Sequence, residues 1–267
     1  MQSNLIDLAP NRLHLWCCFD QAIKDPVLLD QYEGLLNDEE KAKKRRFHFE
    51  RHQHQYLVTR ALVRTTLSFY RSILPQDWRF VKNEYGRPGI APDLMGSLAQ
   101  PGLEFNLSHT NGLIVLAIAT GADIGVDVEN LHRRNDVIGV ADRYFSPSEV
   151  TALHSHPVNE QYGRFFDYWT LKEAYIKARG MGLSIPLEQF SFNLANEGEI
   201  LIDIDPRQQD DPKRWQFWRF KPSNEHQIAV AWGEPRQSAK TSRPPITIKS
   251  RQIVPLKSHC SLELSSP

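Results

Sequence analysis

The stretch "LEFNLSHTNGLIVLAIATGADIGVDVEN" (residues 103–130) decides the fold class. Asn111-Gly112 is a pair favoured where a tight turn needs positive φ, so 103–110 and 113–120 read as two strands of a hairpin. The next segment, "DIGVDVEN" (123–130), reads as a further strand, with a junction near Gly121. Along it Ile124, Val126 and Val128 point to one face, and Gly125, Asp127 and Glu129 to the other.

Working outward, "LHLWCCF" (13–19) reads as a strand, and "DEEKAKKRRFHFERHQHQYLVTRALVRTTLSFY" (38–70) as one or two helices, basic at the front. Leu57, Ala61, Leu62, Thr65 and Phe69 supply a buried stripe there. "YGRPGI" (85–90) is a turn. After the junction the order recurs: a strand, then a helix start at Ser146, Pro147 and Glu149 with the spacing of a capping box. "RFFDYWTLKEAYIKARGMGL" (164–183) follows as a helix ending at a glycine, with Phe165, Tyr168, Trp169, Tyr175 and Ile176 on one broad face. Strands are expected in "FSFNL", "EILIDID", "WQFWRF" and "HQIAVAWG". The expected class is therefore α/β of the α+β kind, helices packed on antiparallel sheet, occurring twice: residues 1–120 and 121–233. Residues 234–267 hold six basic residues against two acidic ones, with much Pro and Ser. They read as a mobile tail, with "ITIKSRQIVPL" (246–256) as a candidate strand docked on the body.

A chain of 267 residues that is 40% apolar and contains six tryptophans can bury a real core. No apolar run is long enough to cross a bilayer, and the N-terminus lacks the layout of a signal peptide, so no membrane partner and a cytoplasmic location are expected. Acidic and basic residues balance at 32 each, so any anion site is local. Cys17, Cys18 and Cys260 show no metal or disulfide spacing and read as reduced thiols.

Asp127 and Glu129, two residues apart on one strand face, repel each other unless a cation or water separates them. They read as a solvated strand face or as two ligands of Mg²⁺, which takes one or two carboxylates and fills its shell with water and phosphate oxygens. Glu173 is the candidate third carboxylate. Glu173 and Lys177 also read as a surface pair one helical turn apart. Lys172, inside the apolar arc, needs an anionic partner or a route to water. Ser108, His109 and Thr110 offer donors beside a glycine turn, and Arg87 lies in another turn. The basic run "KAKKRRFHFERHQH" (41–54) reads as a solvated helix face, a phosphate-binding edge or, with few aromatics around it, a nucleic-acid patch.

Together these residues form a pattern. "IGVDVE" followed about forty residues later by "WTLKEAYIKARGMGLSIPL" resembles the paired signature of the phosphopantetheinyl transferases, in their larger, two-halved, surfactin-synthetase-activating branch. "KRRF", "YGRP" and "FNLSHT" stand in that family's order and spacing, and the resemblance covers residues 35 to 232. It implies a monomer of two pseudo-symmetric halves with the active site between them. It implies transfer of the 4'-phosphopantetheine arm of coenzyme A to a serine of an acyl or peptidyl carrier protein, with release of adenosine 3',5'-bisphosphate. By resemblance, Asp127, Glu129 and Glu173 hold Mg²⁺ and Lys177 contacts the diphosphate; Glu173, at the edge of that site, is placed to take the serine proton directly or through a metal-bound water. Ser108, His109, Arg87, Lys43 and Arg60 contact coenzyme A. Lys172 is expected to support the site electrostatically, and Arg179 and Met181 to form a docking rim for the carrier. Gln55 and Tyr56 depart from the family's pattern. A metal-dependent nuclease, which commonly places a lysine at the position of Leu131, and a coenzyme A or nucleotide binder without catalysis are the alternatives.

Overall fold

The computed structural model describes residues 5–95, 102–132, 137–194, 199–235 and 245–265. Its plan starts at the Asn111-Gly112 turn, where Gly112 takes φ +86°. That turn joins β4 (Leu103–Thr110) to β5 (Leu113–Thr120) in antiparallel register, Thr110 opposite Leu113. Gly121, at φ +63°, then redirects the chain into β6 (Asp123–Asn130), which joins a different sheet.

The two halves follow one scheme. The first runs β1 (Arg12–Cys18), helices α1 (Pro26–Leu35), α2 (Asp38–Arg45) and α3 (Glu50–Leu67), a hairpin of β2 (Phe80–Lys82) and β3 (Pro88–Ile90), then β4 and β5. The second runs β6, helices α4 (Val137–Tyr144), α5 (Pro147–Ser155) and α6 (Val158–Arg179), a hairpin of β7 (Phe190–Asn193) and β8 (Leu201–Ile204), then β9 (Trp215–Ser223) and β10 (His226–Gly233). In each, the first strand pairs with the last and the last with the middle one: β1-β5-β4 and β6-β10-β9. The pseudo-symmetry is thus one of topology.

Helix ends follow local chemistry. Asn37 with Glu40 and Ser146 with Glu149 make reciprocal capping boxes on α2 and α5, and Pro147 occupies the first turn. The long basic segment breaks between α2 and α3, so it forms two helices. Gly180 ends α6 in the left-handed conformation, φ +68°.

Side-chain alternation builds four layers. Trp16, Cys18, Ile114, Leu116 and Ile118 face α1 and α3, with Val58, Ala61 and Leu62 of α3 against them. Leu13, Leu15, Cys17, Val115 and Ala117 face the other sheet and meet Ile124, Val126, Val128, Ile228 and Val230. Ala229, Ala231 and Phe217 carry the second sheet's outer face to Leu171, Ala174 and Tyr175 of α6. Strands β5 and β10 are covered on both sides, which is why both are apolar through most of their length. At about 1.5–3 kcal/mol per fully buried aliphatic side chain, the inter-sheet layer holds the halves firmly together.

Of the two readings of the tail, the docked strand is the one found: residues 247–254 form it, and residues 258–261 add a second. β11 (Thr247–Val254) pairs in parallel with β1, and β12 (Ser258–Ser261) pairs with β11, giving a five-stranded sheet ordered β12-β11-β1-β5-β4. The first sheet is therefore mixed, where an antiparallel one is expected. Leu262 and Leu264 pack on the inter-sheet layer, and Ser265 bonds to Lys221 of β9, so this segment straps one half to the other. Only isolated residues of the strap are apolar and inward, which is why the sequence reads as a loose end. Residues 236–244 and 266–267 of that tail lie outside the described residues. Cys17 and Cys18 are buried and Cys260 exposed, all free. Among the described residues, no helix is long and apolar enough to cross a membrane.

One buried polar group in this core titrates. His14, 1% exposed, accepts through Nδ1 from the Tyr70 hydroxyl at 2.7 Å, and Tyr70 in turn accepts from Trp16 Nε1 at 2.9 Å. Its Nε2 has no partner among the described residues. Burial, then the charges of Arg251, Lys249 and Arg12, push its pKa down to about 4. The folded state therefore resists a proton that the unfolded chain takes up at ordinary histidine pH. Stability from this residue is intact above pH 6.5 and is lost, by of order 3 kcal/mol, as pH falls towards 4. Urea melts between pH 7 and pH 4 should show a shallower loss in His14→Asn than in the wild type; parallel curves would contradict this.

Candidate active site

The site begins with a glycine. Gly125 lies on the same face of β6 as Asp127 and Glu129, and α6 crosses directly over it. A Cβ there would lie 1.9 Å from the Ala174 carbonyl oxygen and 2.6 Å from the Ala178 nitrogen. Strand and helix backbones therefore touch, as only glycine permits. That contact brings Glu173 and Lys177, one turn apart on α6, to the carboxylates of β6.

Lys177 Nζ donates to Asp127 Oδ1 at 2.6 Å and to Ser108 Oγ at 2.8 Å. Ser108 Oγ donates to the same Oδ1 at 2.9 Å. Asp127 is 4% exposed, and its other oxygen, Oδ2, is buried without a protein partner among the described residues. Glu129 Oε1 accepts from Trp169 Nε1 at 3.0 Å. The Glu173 carboxyl is pushed up to about 7, first by burial, then by Asp127, with Glu129 adding and Lys177 opposing. Glu173 thus feels two further carboxylates as well as the Lys177 ammonium, and the buried Asp127 Oδ2 lacks a donor among the described residues. Such a set fits a further cation. Among the described residues no three such side chains are grouped as a metal cage, and Asp127 is closed on Lys177.

His109 is exposed; the protein around it and then Lys177 hold its imidazole below the usual value, so it is neutral near pH 7. Lys43 lies on a cavity of about 510 Å³ shared with Glu39, Ala42, Arg46, Phe47 and Lys82, its ammonium 5.5 Å over the Tyr56 ring. Arg46 and Lys82 are cationic members that the sequence reading left out. The i, i+3 spacing of Lys43 and Arg46 was the available signal for the first. Gln55 donates to the Thr110 carbonyl at 2.7 Å and so ties α3 to the hairpin.

Four expected residues are held by protein partners. Arg60 is paired with Glu40 and lies over Phe80, which makes it a tie between helices. Arg87 donates to the Ala178 carbonyl at 2.8 Å and to that of Ile124 at 3.4 Å, while Asn83 donates to the Gly180 carbonyl at 2.7 Å. A cation on the last carbonyls of α6 suits the helix dipole and locks the two halves together. Lys172 does not face the carboxylate site. It is fully buried, 2.7 Å from Glu149 Oε2, and donates to the carbonyls of Leu187 and Phe190 at 2.8 and 2.7 Å. Burial lowers its pKa and Glu149 opposes the shift. Glu149 is the anionic partner its place in the apolar arc demanded, and sequence spacing gave no sign of it. Arg179 is not a rim residue either: its side chain is 3% exposed and pairs with buried Asp210 at 3.0 Å, leaving Met181 half-buried beside it.

Comparison with known proteins decides the family. The family model "4'-phosphopantetheinyl transferase, N-terminal" matches residues 28–121, and that of the 4'-phosphopantetheinyl transferase superfamily matches 123–231. The protein named 4'-phosphopantetheinyl transferase ffp of Bacillus subtilis is 34% identical over 175 residues, 66% of this chain and 74% of that protein. The chain belongs to the 4'-phosphopantetheinyl transferase family. The similarity to HetI of Nostoc sp., 30% over 234 residues, spans 85% of this chain and 90% of that transferase. Sfp of Bacillus subtilis strain 168 is 33% identical over 66% of this chain and 74% of its own length. The chain is thus an enzyme of the phosphopantetheinyl transferase class, in its two-halved branch. Of its sequence-expected site residues, Ser108, Asp127 and Lys177 are in direct contact, and Glu129 and Glu173 adjoin them electrostatically.

Proposed function

We propose that this enzyme moves the 4'-phosphopantetheine arm of coenzyme A onto a serine hydroxyl of an apo carrier protein, with Mg²⁺, releasing adenosine 3',5'-bisphosphate. The observation that carries the reading is the meeting of Asp127 with Lys177 and Ser108 beside a half-buried Glu173 whose pKa lies near 7. Asp127, Glu129 and Glu173 would hold the ion, and the partnerless Asp127 Oδ2 supports that fit. When bound, the ion neutralises the diphosphate and so lowers the barrier to attack by an alcohol.

The chain's own residues supply the rest. Lys177 offsets charge that grows on the departing phosphate. Glu173, at the edge of the site, accepts the serine proton as general base. One phosphorus–oxygen bond forms to the serine and one breaks to the nucleotide. Lys43, Arg46 and Lys82 around their cavity, with His109 as a neutral donor, suit the phosphate end of the nucleotide. Arg87 and Arg60 support the walls of the site.

Incubating an apo carrier protein with the enzyme, coenzyme A and Mg²⁺ should add the mass of one phosphopantetheine arm to the carrier, read by mass spectrometry. Binding of coenzyme A with no such gain would overturn transfer.

A further inference from the structure

Strands β4 and β6 belong to different sheets and share no backbone ladder, yet they run side by side. Every second amide of an edge strand points away from its neighbour and needs a partner. On β6 the side chains of β4 provide it. The Val126 N–H donates to Asn106 Oδ1 at 3.0 Å, the Val128 N–H to Ser108 Oγ at 3.3 Å, and the Asn130 N–H to Thr110 Oγ1 at 3.2 Å. Both strands advance by two residues per bond. The result is a seam in which three polar side chains imitate a missing strand.

We infer that Asn106 and Thr110 are positioning residues, which fix the register of β6 against β4 and thereby hold the Asp127 carboxylate at Ser108 and Lys177. The apolar layer between the sheets cannot do this, because hydrophobic contact is non-directional and tolerates sliding. Hydrogen bonds at a fixed two-residue step do not. A slip of one step would carry Asp127 about 7 Å along β4, away from the Ser108 hydroxyl that now bonds it. Asn106 is 6% exposed, so bulk water does not replace its bond, and Thr110 is half-buried. The middle rung, Ser108, belongs to the site itself; the outer two aim it. The kinetic part of this inference rests on the transfer reaction proposed above.

The test compares variants of the full chain that delete the acceptor, Asn106→Leu and Thr110→Val, with variants that keep it, Asn106→Asp and Thr110→Ser. Hydrogen exchange of residues 123–130, measured without ligand, should speed up in the deleting variants and stay slow in the keeping ones. In carrier loading, each deleting variant should lose about tenfold in kcat, and the pair about a hundredfold, while KM for coenzyme A moves less than threefold. The keeping variants should recover most of kcat. Unchanged exchange in Asn106→Leu and Thr110→Val, or an equal kcat loss in the keeping variants, overturns the inference. If the wild type loads no carrier, the transfer reading fails while the exchange comparison still decides the seam.

Discussion

Asp127→Asn is expected to cut carrier loading by on the order of 10²-fold or more, while the protein stays folded. Asparagine has nearly the same shape and can still accept from Ser108, but it carries no charge for Lys177 or for a cation. The substitution therefore tests charge with geometry held fixed. A second readout separates loss of the site from general damage. Asp127 is the largest electrostatic cause of the high Glu173 pKa, and Lys177 would be freed of its present partner. The Glu173 carboxyl should then titrate well below its present value of about 7. Carboxyl carbon chemical shifts followed against pH in metal-free protein report it. Wild-type turnover, or a Glu173 titration that stays near neutrality, would refute the arrangement.

Gly125→Ala is expected to damage both stability and turnover. The new methyl would meet the backbone of Ala174 and Ala178, and no flexible side chain is there to give way. Helix α6 must lift, at a cost of about 1–3 kcal/mol or more for overpacking. Lifting α6 also carries Glu173 and Lys177 from the β6 carboxylates, and displacement of about 1 Å can cost 10²-fold in rate. Gly163, in the same helix, has nothing within 4 Å of its absent Cβ. Gly163→Ala should leave activity unchanged and stabilise by about 1 kcal/mol through helix propensity. Melting temperatures and carrier-loading rates of the two variants provide the comparison. Equal behaviour would show that the close approach at residue 125 is not needed.

The legibility of this chain followed the range of its interactions. The Asn111-Gly112 turn, the capping box at Ser146 and the glycine after Arg179 are local devices, and each is where the sequence places it. The alternation of β6 was legible too, and with it the common face of Gly125, Asp127 and Glu129. Gly125 itself passed as a strand residue, although a glycine beside two carboxylates was the available sign of a close helix approach. Partners far apart in sequence were not legible. Lys172 finds Glu149 and Arg179 finds Asp210 only because helix, hairpin and strand converge in space. A charge in an apolar arc announces that it has a partner, and gives no address for it. The strap was legible only in part: residues 246–256 read as a candidate docked strand, whereas β12 gave no signal, and the partner of β11 is β1, more than two hundred residues earlier.

The claim on which the account depends is that Asp127, Glu129 and Glu173 hold one divalent ion against a diphosphate. Crystals grown with coenzyme A and Mn²⁺, with data collected at the manganese edge, test it most directly. One anomalous peak is expected within ligating distance of all three carboxylates, with Lys177 moved from Asp127 towards the phosphates. A peak held by coenzyme A alone, with Lys177 still closed on Asp127, would contradict it.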